Sequence, residues 1–102
     1  MSKREELRDY LKAVCKGKSQ AKSGRTLTQV LHIGKSELQR HVNRLRKDGE
    51  PIGSCQQGYF YAVTASEVYT TIRQLQQMER GLQAAIGGLE GTLKEFTGGN
   101  TP

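Results

Sequence analysis

Val68, Leu75, Leu82, Leu89 and Phe96 recur at intervals of seven in the last third of the chain. Ile72, Glu79, Ile86 and Leu93 form a second series, offset so that spacings alternate four and three. Only an α-helix turns such residues onto one side. A period of about 3.5 residues is that of a helix lying along another helix. The run predicts a helix from about Ser66 to Phe96, with Glu79 as one polar intruder in the seam. Gly81, Gly87, Gly88 and Gly91 fall off the seam, and each costs about 1 kcal/mol of helix propensity relative to alanine. Such a helix needs a partner surface.

The remaining length holds one small domain. Ser2 with Glu5 fits a capping box, and Leu7, Leu11 and Val14, with Tyr10 and Cys15 beside them, predict a helix over 3–16 that ends at Gly17. The stretch 17–25, GKSQAKSGR, reads as a basic loop. Thr26 with Gln29 suggests a cap for a short second helix carrying Val30 and Leu31, with Gly34 as the tight turn out of it. Leu38, Val42 and Leu45 predict a third helix running to Asp48. Gly49 suits a left-handed cap, and Pro51 prevents the helix from resuming. A turn at Gln56-Gln57-Gly58 before the β-prone Tyr59-Phe60-Tyr61-Ala62-Val63 is a hairpin signal, with Gly58 placed for a positive φ.

Charge is distributed unevenly along this order. Residues 1–50 hold thirteen Lys and Arg against six Asp and Glu, and residues 51–102 hold three against four. Residues 12–47 alone hold ten cations against one acid, Glu37. A balance of +6 gathered into one part of the chain is the footprint of a polyanion binder. With Leu38, Val42 and Leu45 turned inward, the third helix presents residue types that read base edges in the major groove. Lys35, Ser36, Gln39, Arg40 and Asn43 are the candidates for bases. Arg44, Lys47, the loop residues Lys18, Lys22 and Arg25, and the wing-tip Gln56 and Gln57 are candidates for the backbone or minor groove. Arg44, Arg46 and Lys47 also suit a solvated helix end that complements the dipole.

Three helices followed by a hairpin give the order of a winged helix-turn-helix. The stretch LHIGKSELQRHVNRLRKDGEPI with GYFYA resembles winged-helix domains of biotin-repressor type. The matching positions are Leu31, Ile33, Gly34, Val42, Leu45, Arg46, Gly49, Ile52, Gly58 and Tyr59. Gly34 replaces the family's capping serine, the 17–25 loop is long for the family, and the last helix lies outside the likeness. The resemblance implies a small bacterial or phage regulator that binds double-stranded DNA.

The expected architecture is therefore mainly α with a small β-hairpin: a winged helix-turn-helix over 1–64, a heptad helix over 65–97 and a disordered tail over 98–102. Two roles for the heptad helix remain open. It folds back on its own domain, or it pairs with a second copy through Val68, Ile72, Leu75, Leu82, Ile86, Leu89, Leu93 and Phe96. Its length favours the homodimer. A protein partner that meets the basic face with an acidic surface is the alternative to DNA.

Other classes find little support. No paired carboxylates, Ser/His/Asp set or phosphate-binding glycine loop points to an enzyme, so no catalytic residue and no cofactor is expected. Cys15, Cys55, His32 and His41 lack zinc-ligand spacing, so no metal is expected either. No stretch approaches the roughly 20 apolar residues of a membrane span, and the start lacks the apolar core of a signal peptide, which predicts a cytoplasmic protein.

Overall fold

The computed structural model describes residues 1–97; the tail expected over 98–102 lies outside them. The element order is α1 (Lys3–Val14), α2 (Gly24–Leu31), α3 (Lys35–Lys47), β1 (Ile52–Cys55), β2 (Gly58–Tyr61) and α4 (Ala65–Thr97), with a 3-10 turn at Lys18–Gln20. The fold is mainly α with one two-stranded antiparallel hairpin and a long C-terminal helix, as expected.

Each helix of the domain buries one face. Leu7, Leu11 and Cys15 from α1 meet Leu27 and Leu31 from α2, and Leu38, Val42 and Leu45 from α3. Ile52, Phe60 and Ala62 close this core from the hairpin side. Fully burying a leucine contributes about 1.5–3 kcal/mol, so these stripes dominate the stability of so small a unit. Val14 and Val30, which the periodicity places with the core, are exposed, and Leu27 takes the inward position on α2.

The helix ends follow local chemistry, with three corrections. Ser2 and Glu5 form the expected capping box, the Ser2 hydroxyl accepting from the Glu5 N–H at 3.1 Å. Helix α1 stops at Val14, with Cys15 rather than Gly17 as its cap. Helix α2 starts at Gly24 with Ser23, not Thr26, as its cap: the Ser23 hydroxyl accepts from the Thr26 N–H. The turn out of α2 is made by His32 in the left-handed conformation (φ 55°), because the tight turn falls one residue after Leu31. Gly34 stands instead in extended conformation at the start of α3, with no side chain to cap it. At the other end Gly49 (φ 91°) turns the chain as expected, letting the Glu50 N–H reach the Leu45 carbonyl.

The stretch 17–25 is not a free loop. The Gly17 N–H donates to the Tyr61 carbonyl, and the Tyr61 N–H to that of Cys15. Lys22 and Tyr59 exchange both backbone bonds, at 3.0 and 2.9 Å. Strand β2 thus has β1 on one edge and the 15–22 segment on the other. Two glycines permit this packing. A Cβ on Gly53 would lie 2.3 Å from the Phe60 ring, and one on Gly58 would lie 2.0 Å from the Lys22 carbonyl oxygen.

Residues Met1–Thr71 form one compact unit, so the domain runs past residue 64 into the first turns of α4. Val68, expected in a dimer seam, packs against the domain's own core. Thr71 is buried, its hydroxyl accepting from the Ser54 N–H at 3.2 Å. The Glu67 carboxylate accepts from the Lys18 N–H at 2.9 Å and the Val63 N–H at 2.8 Å, and these bonds hold its pKa below the usual carboxylate range. From Ile72 onward the chain forms a second unit, the rest of helix α4. There Ile72, Leu75, Leu82, Ile86, Leu89, Leu93 and Phe96 are all exposed.

Candidate nucleic-acid interface

Helix α3 is packed on one side only. Successive residues turn by about 100°, so Ser36, Arg40, Asn43 and Lys47 form the stripe opposite Leu38, Val42 and Leu45. All four are exposed. No acid stands among them, and among the described residues neither Arg40 nor Lys47 takes part in an ion pair.

The two flanks of this stripe differ. On one side lie the helix's acids, each engaged with a basic neighbour. His41 Nε2 is 3.3 Å from Glu37 Oε2, and Arg44 Nε is 3.4 Å from Asp48 Oδ1, both at i,i+4 spacing. Asp48 therefore answers part of the Arg44 charge, while the Arg44 side chain remains 60% exposed. On the other side Lys35 and Gln39 line an open groove of about 390 Å³, with Arg25 and Thr28 of α2 across from them. Leu38 and Tyr59 supply its apolar surface, and Gly24 completes it. Structure thus brings Arg25, Lys35 and Gln39 together beside the outer stripe.

Arg46 belongs to the fold rather than to the surface. Its Nε donates to the Ile52 carbonyl at 2.9 Å and its terminal nitrogen to the Ser54 hydroxyl at 3.3 Å. Burial pushes its pKa down, a cost these bonds offset. It joins α3 to β1, so one of the helix's five cations is withdrawn from any ligand.

The remaining candidates are less uniform. Gln56 and Gln57 form the two-residue turn of the hairpin and are exposed; the Gln57 side chain accepts from the Cys55 thiol at 3.3 Å. Lys22 is half-buried and its backbone is committed to Tyr59. Lys18 is exposed but sits with Glu67 at the start of α4, a carboxylate that partly answers its charge. Phe60 is core, and the Tyr61 hydroxyl donates to Glu50 Oε2 at 2.6 Å; burial, with this bond second, pushes the Tyr61 pKa up to about 12.

Sequence reasoning missed Thr28 and Tyr59 as groove-lining residues and Glu67 as an anchor. Thr64-x-x-Glu67 before an apolar run was a readable start signal, and the Thr64 hydroxyl does accept from the Glu67 N–H. Nothing local announces Thr28 or Tyr59, whose neighbourhood is tertiary.

Among the described residues no cluster of three His, Cys, Asp or Glu could hold a metal ion, and both cysteines are free thiols. Among the described residues no helix is long and apolar enough to cross a membrane. Compared with protein-family models, with curated proteins and with solved structures, the chain has no significant match.

Proposed function

We propose that the chain is a sequence-specific double-stranded DNA-binding protein, a cytoplasmic, repressor-like transcriptional regulator of the bacterial or phage kind that works as a homodimer through α4. The observation that carries this reading is the outer stripe of α3. Ser36, Arg40, Asn43 and Lys47 stand exposed, without an acid, on the second helix of a helix-turn-helix and beside a hairpin with an amide tip. A helix so placed presents its first turns to base edges in the major groove while flanking cations meet phosphate. Lys35, Ser36, Gln39, Arg40 and Asn43 are the base readers, and Arg25 and Lys47 are the phosphate contacts. The likeness of residues 31–59 to biotin-repressor-type winged helices supports the same assignment.

Selection of bound duplexes from a random pool tests it. Winners should share a motif whose two halves are related by symmetry. Neutralising Lys47 (Lys47→Gln) should weaken binding to all duplexes alike and reduce the slope of log K against log salt by about 1. Arg40→Gln should instead relax preference at one base position. Failure to retain any duplex at low salt overturns the proposal.

A further inference from the structure

We infer that the partner of helix α4 is a second copy of the same helix running antiparallel, and that Glu79 selects this direction. The inference rests on the homodimer proposed above and adds its geometry.

The exposed series from Ile72 to Phe96 alternates spacings of three and four throughout. Read backwards, it superposes on itself. Ile72 stands opposite Phe96, Leu75 opposite Leu93, Glu79 opposite Leu89 and Leu82 opposite Ile86, with the two-fold axis at residue 84. Val68 would break this match by adding an unpaired position, but it is already packed on its own domain's core. The stripe therefore ends where an antiparallel pair needs it to end.

Size agrees. Seven large apolar side chains per copy, 37% to 77% exposed, would be covered in the pair, an area on the order of 1,000 Å² over both copies, which is what a specific interface needs. A second copy offers the same apolar stripe at the same spacing, and two-fold pairing covers both stripes at once.

Direction follows from the polar intruder. A parallel, in-register pair sets Glu79 against its own copy, two carboxylates in one apolar layer, and like charges so placed repel. The antiparallel pair sets each Glu79 against Leu89 in separate layers, where a single carboxylate can bend to water. The flanking positions do not compete with this choice. The antiparallel register brings Gln83 to Gln83, Ala85 to Ala85, Gln76 to Glu90 and Met78 to Thr92, none of them a like-charge pair.

Spin labels at three outward positions of α4 measure the direction: Gln77→Cys, Ala84→Cys and Gly91→Cys, each in full-length chain carrying Cys55→Ser, since Cys15 is buried. In the antiparallel pair the labels at 84 lie closest. Those at 77 and at 91 are each displaced along the axis by roughly 20 Å. Equal distances at all three positions would mean a parallel pair and overturn the inference while leaving the dimer standing. A monomeric or trimeric mass in sedimentation would overturn both. Glu79→Leu removes the selecting charge, so a second population with equal distances should appear. If its distances match those of the parent, Glu79 does not choose the direction.

Discussion

Replacing Gly58 by alanine tests whether the 15–22 segment is part of the sheet. Gly58 has φ 132°, outside the range an L-residue adopts without strain, and a Cβ there would stand 2.0 Å from the Lys22 carbonyl oxygen and 2.7 Å from the Ser23 Cα. Both obstacles are backbone, so no side-chain rotation relieves them. The strained φ costs about 1–3 kcal/mol. Retreat of the 15–22 segment would also forfeit the paired Lys22–Tyr59 bonds, each worth about 1 kcal/mol net. The total, about 3–5 kcal/mol, is a large part of the stability of a domain this size, which is on the order of 4–10 kcal/mol. Thermal unfolding followed by circular dichroism should show Tm lower by at least about 15 °C. Gly34→Ser is the control: the position is extended and open, a serine there can cap α3, and Tm should stay or rise slightly. A Gly58→Ala protein melting within a few degrees of the parent would refute the packing argument.

Arg46→Gln should cost about 1–3 kcal/mol in urea denaturation, because the Ile52 carbonyl and Ser54 lose a charged donor, yet leave the salt slope of duplex binding unchanged. Gly87→Ala, at a helical site with nothing within 4 Å, should raise the helix content of α4 and stabilise it by about 1 kcal/mol, read by circular dichroism. The pKa of Glu67 is lowered by its backbone donors, so its contribution is present above the unfolded carboxylate pKa and is lost as pH falls through the folded value. Glu67→Gln should therefore flatten the acid side of the stability profile in a pH series of melts.

What could be read from residues alone was whatever is written locally. The Ser2–Glu5 box, the Leu38-Val42-Leu45 face, the Gly49 cap and the Gln56-Gln57 turn each depend on neighbours a few positions away, and each was found. What escaped depends on contacts between distant parts. The 17–25 stretch has the composition of a loop, and only Tyr59 and Tyr61, forty residues on, make it part of the sheet. His32 and Gly34 could each supply a left-handed turn, and the packing of Leu31 and Ile33 decided for His32. Arg46 is indistinguishable from Arg44 by type, but one is half-buried against β1 and the other exposed beside Asp48. On the candidate site, the outer stripe of α3 followed from periodicity, whereas the groove with Tyr59 and Thr28 did not.

Because β2 is enclosed between β1 and residues 15–22, the domain has no wing that can form by itself. During synthesis α1, α2 and α3 emerge first, but the segment after α1 stays without its hydrogen-bond partners until residue 61 has left the ribosome. Closure of this edge therefore waits for the hairpin. The Tyr59 and Tyr61 amides should exchange with solvent only when the whole domain opens, and neither edge of that strand is offered to a neighbouring molecule in the meantime.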